Sequence, residues 1–138
     1  MPGKLSRKKA NRDHLIRNLC TSLILHEAIV TTVPKGKLVK AEVDSILSDC
    51  KSGTLAARRR AKQFLFDDMA VSKIFEVYNA QFKNVTGGMV KMTKLGSRLG
   101  DAAPIAKLEL AKPVVAKTET VKEEVVEEKP KTKKSSKK

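Results

Sequence analysis

The spacing of apolar residues predicts that most of the chain is helical. Apolar side chains recur every three or four positions over 8–26, 35–51 and 69–82, as on one face of an amphipathic helix. A shorter, arginine-rich helix is predicted over 54–66. The widest apolar face belongs to the first helix and comprises Leu15, Ile16, Leu19, Cys20, Leu23 and Ile24.

Small and polar residues mark the ends of these helices. Gly53 suits a helix C-terminus, and Thr54 suits the N-cap of the next helix because its hydroxyl can accept a hydrogen bond from a free backbone N–H. Asp67 or Asp68 can cap the following helix in the same way. Gly87-Gly88 ends the helical region.

Three segments have the pattern of β-strands. The β-branched run 28–33 is broken by Pro34, and two further strands are expected at 89–95 and 104–111, joined by a glycine-containing loop. The predicted fold class is therefore α+β, with helices packed on a small three-stranded mixed sheet and a basic N-terminal arm in front of it.

Composition divides the chain near Lys112 into a domain and a tail. Residues 1–112 carry 21 basic and 10 acidic side chains, whereas 113–138 form a low-complexity segment with 8 Lys and 5 Glu. This tail is predicted to be disordered, because it cannot bury enough apolar surface to offset the entropy of ordering. Its basic end is either solvated or an arm that becomes ordered on RNA.

The net charge indicates a polyanionic partner. The 138 residues include 29 Lys and Arg against 15 Asp and Glu, a formal net charge of +14. Basic side chains on phosphates release condensed counterions, which favours nucleic acid, but charge alone does not choose among rRNA, DNA, tRNA and an anionic membrane. No apolar run approaches the roughly 18 residues of a transmembrane helix, so no such helix is expected, and the expected partners do not include a membrane.

The residues that could support catalysis or metal binding form no recognisable pattern. His14 and His26 are too far apart for a helical metal pair, and Cys20 and Cys50 lie within apolar patterns, where buried free thiols are expected. We find no nucleotide-binding loop, nucleophile motif or paired carboxylates. The sequence therefore predicts no enzyme activity, no metal, no cofactor and no small-molecule substrate.

The basic residues occur in clusters that a folded domain can present to RNA. Aromatic residues make up only 4% of the chain, which favours structured RNA held through phosphates and shape over stacking on unpaired bases. The candidate RNA contacts are Lys4, Arg7, Lys8, Lys9, Arg12, Arg17, Lys35, Lys37, Arg58, Arg59, Lys91, Lys94 and Arg98.

Two ordered blocks of residues resemble a known family. The first contains Arg12, Arg17-Asn18, Ser22-Leu23, His26-Glu27, Ile29, Thr31-Thr32, Pro34, Lys35 and Lys37. The second contains Gly87-Gly88, Lys94, Gly96, Arg98, Gly100-Asp101, Ala103-Pro104 and Glu109-Leu110. In order and spacing they resemble the bacterial-type large-subunit ribosomal protein seventeen family over about residues 4–111. The opening MPGKLSRKKAN departs from that family, and Gly36 stands where it commonly has Ala.

The resemblance implies a structural constituent of the large ribosomal subunit that supports translation. Members bind large-subunit rRNA near the outer end of the peptide exit tunnel, beside neighbouring ribosomal proteins, and the matching motif adds Asn18 to the candidate RNA contacts. A bacterial cytoplasmic ribosome is expected from the compact length and the lack of a presequence, with an organellar ribosome as the alternative. The other function class left open is a free-standing architectural nucleic-acid-binding protein.

Overall fold

A computed structural model describes residues 3–83 and 85–111, and these form an α+β domain, as the sequence predicts. The last three helical segments follow one another without a break, the middle one being a π-helical turn. In chain order the elements are α1 Lys9–His26, β1 Ala28–Thr32, α2 Val33–Cys50, α3 Leu55–Phe64, α4 Asp68–Lys73, the π-helical turn Ile74–Tyr78, α5 Asn79–Phe82, β2 Val90–Ser97 and β3 Pro104–Leu110.

The capping predictions for α3 and α4 are confirmed. The Thr54 hydroxyl accepts a hydrogen bond from the backbone N–H of Ala57 at 3.3 Å, and the Asp67 carboxylate accepts one from the N–H of Met69 at 2.8 Å. The sequence analysis places Pro34 just before the second helix, but in the structure Pro34 lies in the first turn of α2. A proline fits there because the N–H that it lacks would have no partner within the helix.

The sheet is antiparallel throughout, so the prediction of a mixed sheet is wrong. Its strand order is β1-β3-β2, and both outer strands run antiparallel to β3. The short connection between β2 and β3 makes a hairpin, which requires antiparallel pairing. The direction of β1 relative to β3 depends on where the intervening helices return the chain, and the alternation of apolar residues does not encode that path.

Helix α2 lies directly on one face of the sheet and approaches it closely at Gly36. A Cβ atom at this position would be 3.4 Å from Met92 Sδ and 3.7 Å from carbons of both Leu108 and Thr31, which belong to the three different strands. The covered face continues through the alternate residues Ala106, Leu108 and Leu110 of β3, all buried. Alternation along β3 is therefore matched to one covered face, as predicted.

The core joins α1, α2 and the α4–α5 segments to the sheet. The largest fully buried side chains include Tyr78, whose hydroxyl donates a hydrogen bond to the carbonyl oxygen of Ile24 at 2.9 Å. Cys20 and Cys50 are buried free thiols, as the sequence predicts. Leu23 and Ile24 of α1 are fully buried, and burial of a leucine or isoleucine side chain contributes roughly 1.5 to 3 kcal/mol. Helix α1 is therefore held mainly by its apolar face.

Two sequence expectations concern the chain ends. The tail 113–138, predicted to be disordered, lies outside the described residues. The basic arm before α1 is described from Gly3 onward and is exposed apart from the partly buried Leu5.

Within residues 3–83 and 85–111, no helix has the length and apolar character needed to span a membrane.

Candidate RNA interface

The basic arm folds into a tight turn just before α1. The backbone N–H of Arg7 donates to the carbonyl oxygen of Lys4 at 3.2 Å, and the two residues between them, Leu5 and Ser6, have φ angles of 51° and 50°. Positive φ at both central residues is the arrangement of a type I′ turn, which places the two flanking residues close together. Lys4 and Arg7, both exposed, therefore share one end of the turn.

The start of α1 is electropositive. Lys8 occupies the N-cap without a side-chain cap, Lys9 begins the helix, and the first turn contains no acidic residue. The free backbone N–H groups and both lysines thus carry positive charge at the same place, an arrangement that favours an anion. Arg12, one turn further on, lies 3.6 Å from a carboxylate oxygen of Asp13 and is partly buried, which reduces its availability.

Arg17 faces the protein more than the solvent. Its Nε donates to the carbonyl oxygen of Phe64 at 2.7 Å, and its guanidinium also donates to the carbonyl of Gln63. The guanidinium carbon lies 4.8 Å from the centre of the Phe66 ring. These contacts give Arg17 a structural function, whereas Asn18 beside it is exposed. RNA contact by either residue stays a prediction.

The sheet register brings the start of α2 and the outer strand β2 to the same end of the domain. Lys94 pairs through Ala106 with Thr31, which lies two residues before Val33, the first residue of α2. The first turn of α2 contains no acidic residue, Lys37 is exposed, and Lys35 is half-buried. Strands are about 4.8 Å apart, so Lys94 lies about 10 Å across the sheet from the strand that leads into α2.

Lys91 belongs to a different surface. It is paired with Glu109 of β3, which is paired in turn with Ala28, at the opposite end of the sheet from Lys94. A shallow pocket there is lined by Lys91, Glu109 and His26. The two β2 lysines are thus separated, because they lie three positions apart and alternate strand residues face opposite sides of a sheet.

The arginine triplet of α3 divides between two sides of the helix. Arg58 and Arg59 line a surface pocket together with Lys62, and the Arg58 guanidinium carbon lies 5.5 Å from the centre of the Phe75 ring. Arg60 lies on another pocket and pairs with Asp49 at 3.4 Å. The exposed Arg58 and Arg59 therefore form the part of the triplet that can face a common partner.

Arg98 lies in the loop of the β2–β3 hairpin and is already paired. Its Nε and Nη2 donate to the two carboxylate oxygens of Asp101 at 3.1 and 2.5 Å. The same carboxylate accepts from the N–H of Ala103 at 3.2 Å. These hydrogen bonds, first that from Arg98, lower the pKa of Asp101 to about 2. Arg98 therefore orders the loop, whatever else it binds.

Sequence reasoning did not identify two features of this surface. His14 stacks on Phe66 with ring centres 5.6 Å apart and an angle of 7° between the rings, although 52 positions separate them. Leu99, at the tip of the hairpin, is 98% exposed. Neither the stacked pair nor Leu99 belongs to a charge cluster or to a sequence motif. The exposed Phe66 directly after an arginine-rich helix was the one available signal for the stack.

Comparison with known proteins decides the family. The chain matches the family model described as "Ribosomal protein L17" over residues 15–111. The Large ribosomal subunit protein bL17 of Hyphomonas neptunium is 44% identical over 107 residues, which cover 78% of this chain and 76% of the relative. The chain belongs to the ribosomal protein L17 family. The resemblance stated from the two sequence blocks is thereby confirmed.

The region that matches the ribosomal protein L17 family begins after the basic arm. It begins at Leu15 and runs to Ala111, the last described residue, so it includes the last two thirds of α1 and the whole sheet. The arm and the start of α1, including Lys8 and Lys9, precede it. Family membership makes the chain a structural constituent of the large ribosomal subunit. The RNA contacts of the arm rest on charge and geometry instead.

Proposed function

We propose that this chain binds large-subunit rRNA through its exposed basic residues, near the outer end of the peptide exit tunnel and beside neighbouring ribosomal proteins. Membership of the ribosomal protein L17 family is the observation that carries this proposal, because it assigns the chain to the ribosome. The chemistry is neutralisation of phosphates that rRNA helices bring close together, with no turnover of a substrate.

The distribution of the candidate contacts supports binding to folded RNA. Among them, only Arg12, Arg17 and Lys35 are partly buried, and the rest are exposed. They occupy the arm, the start of α2, one side of α3 and the hairpin, rather than a single groove. Charges spread over several faces suit a protein that contacts more than one RNA segment, because each cluster can neutralise a separate strand of phosphates.

Co-sedimentation tests the proposal against its main alternative. The full chain, expressed with an affinity tag in bacteria, is expected to remain with large subunits through a sucrose gradient at high salt. A free-standing architectural nucleic-acid-binding protein would instead leave the subunits and be recovered with DNA. A small-subunit ribosomal protein expressed with the same tag is the control, because it reports carry-over of whole ribosomes.

The position on the subunit requires a separate test. Stalled ribosomes carrying a nascent chain with a photo-crosslinker just outside the tunnel are expected to cross-link to this protein. A nascent chain whose crosslinker is still deep inside the tunnel provides the control. Cross-links from both positions, or from neither, would contradict a location at the outer end of the tunnel.

We further propose that the ribosome concerned is that of a bacterial cytoplasm. The 44% identity to the Hyphomonas neptunium relative supports this assignment, because that protein is a bL17 of similar extent. The organellar alternative predicts that a fluorescent fusion of the chain accumulates in an organelle when expressed in a eukaryotic cell. A fusion that stays in the cytosol would favour the bacterial assignment.

A further inference from the structure

The β2–β3 hairpin projects beyond the packed part of the domain. Val90 at the start of β2 and Leu108 in β3 are fully buried, whereas every residue over 93–102 is exposed. A bulge between Lys94 and Gly96 interrupts the register where the hairpin leaves the core. A bulge bends its strand and increases the local twist. The distal half of the hairpin therefore has no partner within the described residues.

The loop at its tip is ordered by its own hydrogen bonds. The backbone N–H of Arg98 donates to the carbonyl oxygen of Ala103 at 2.9 Å and closes the loop. The Arg98–Asp101 pair and the N–H of Ala103 satisfy the Asp101 carboxylate, as described above. Gly100 and Ala102 adopt positive φ angles of 98° and 52°. For Ala102 this conformation is unfavourable, so the loop shape is maintained against backbone strain.

Leu99 is the side chain that this loop presents. It is 98% exposed, more than any other large apolar residue among those described, and lies between the paired Arg98 and Gly100. A leucine in solvent gains none of the free energy that burial of its side chain would supply. An ordered loop with a fully exposed leucine at its tip is a preformed contact element, because binding would require little further ordering.

The charges of the hairpin indicate the kind of partner. Its two acidic residues are both neutralised, Asp101 by Arg98 and Glu109 by Lys107 at 2.5 Å. Lys94 is exposed and forms no ion pair among the described residues, and the same holds for Lys91 at the base of the hairpin. The uncompensated charge on the hairpin is therefore wholly positive. This favours a polyanion over an apolar pocket on another protein, which would not select for an uncompensated lysine on the exposed part of the hairpin.

We propose that Leu99 is an apolar wedge that contacts nucleobases of large-subunit rRNA, with Lys94 on an adjacent phosphate. Apolar side chains inserted between bases unstack them and fix the position of the protein on the nucleic acid. Arg98 acts as a positioning residue, which holds the loop through Asp101 rather than binding phosphate itself. This proposal rests on the proposed rRNA-binding function and adds a specific contact to it.

Photo-crosslinking from the tip tests the contact. The full chain with p-benzoylphenylalanine in place of Leu99 is assembled into large subunits and irradiated, and the cross-linked species are treated with ribonuclease or protease. Cross-linking to rRNA is expected. The control has the same photo-residue in place of Met69, an exposed apolar residue of α4 whose pocket contains no candidate RNA contact, and it should not cross-link to rRNA. Cross-links from Leu99 to a protein only, or to nothing, would overturn the proposal.

The test separates this proposal from the broader one. If wild-type protein fails to enter large subunits, the proposed function is wrong. If wild-type protein enters them and position 99 does not reach RNA, only the wedge is wrong. Sedimentation before irradiation checks that the photo-residue variant has assembled into large subunits. A negative cross-linking result then cannot be due to failed assembly.

A salt titration supplies a second readout. Leu99→Ala is expected to weaken binding to deproteinised large-subunit rRNA roughly tenfold without changing the slope of log affinity against log salt, because leucine releases no counterions. Lys94→Ala is expected to lower the slope by about one. Leu99→Met, which keeps an apolar side chain, should restore most of the affinity. Equal affinity of Leu99→Ala and wild type would contradict the wedge.

Discussion

The Nε atom of Arg17 in α1 donates a hydrogen bond to the carbonyl oxygen of Phe64, the last residue of α3, at 2.7 Å. The last carbonyls of a helix have no partner within it, so a cation from another helix satisfies them and opposes the partial negative charge there. The Thr21 hydroxyl, one turn further along α1, accepts from the N–H of Phe66 at 3.4 Å. Helix α1 thus joins the end of α3 to the core.

Replacing this arginine is expected to destabilise the domain. Arg17→Ala should lower the free energy of unfolding by about 2 to 3 kcal/mol, because it removes charge-assisted hydrogen bonds and the cation–π contact with Phe66. Urea denaturation of the purified chain measures the change. Arg59→Ala, on the exposed side of α3, is the control and should alter stability by no more than about 0.5 kcal/mol. Equal losses in the two variants would contradict the structural function of Arg17.

A substitution at Gly36 is expected to stabilise the protein. In Gly36→Ala the new Cβ would be 3.4 Å from Met92 Sδ, the end of a flexible side chain, so it fits with little adjustment. Alanine in a helix is favoured over glycine by about 0.5 to 1 kcal/mol, and the free energy of unfolding should rise by about that amount. Gly53→Ala is the control, because φ is +64° there and the substitution should destabilise. A loss of stability in Gly36→Ala would show that the sheet cannot accommodate the methyl group.

The two thiols are expected to be unreactive in the folded protein. Burial is the main cause that raises the pKa of Cys20 to about 12 and that of Cys50 to about 11, so neither forms thiolate at neutral pH. Reaction with Ellman's reagent at pH 8 should be slow until guanidinium unfolds the chain, and Cys50, which lines a surface pocket, should react before Cys20. Rapid labelling of the native protein would contradict this expectation.

The ion pair between Arg98 and Asp101 in the hairpin loop is expected to be lost at low pH. The pKa of Asp101 is lowered from 3.8 to about 2, so its stabilising effect is complete above about 3.8 and is lost as the pH falls through 2. In Arg98→Ala the pKa of Asp101 should rise toward 3.8, because the main cause of the shift is removed while the N–H of Ala103 remains. NMR titration of the side-chain carboxyl carbon measures both values. An unchanged pKa would mean that the pair does not form in solution.

The end of the arm and the first turn of α1 are expected to contribute electrostatic affinity for RNA. Replacing Lys8, Lys9 and Arg12 together with alanine should reduce the slope of log affinity against log salt by up to about three, if each contacts a phosphate. The proximity of Arg12 to Asp13 predicts that most of the reduction comes from the two lysines. Lys62→Ala, which removes a lysine paired with Asp68 at 3.0 Å, is the control. An unchanged slope in the triple variant would show that the arm is only solvated.

The sequence by itself determined the local elements and the family. Period-four spacing in α1, the hydroxyl of Thr54 and the carboxylate of Asp67 each act over a few residues, so their effects are encoded where they stand. The family blocks were likewise visible as ordered residues along the chain, and the family comparison confirmed them. The strand bounds also agreed to within about two residues, as is usual for element ends.

Only the tertiary structure decided which residues meet. The direction of β1, the separation of Lys91 from Lys94 and the inward contacts of Arg17 depend on contacts between distant segments, which no local pattern specifies. The same is true of the exposed Leu99, because the sequence places it in the loop between two strands but does not show how far the hairpin extends past the core. Local propensity acts through neighbouring residues, whereas the surface is formed by long-range packing.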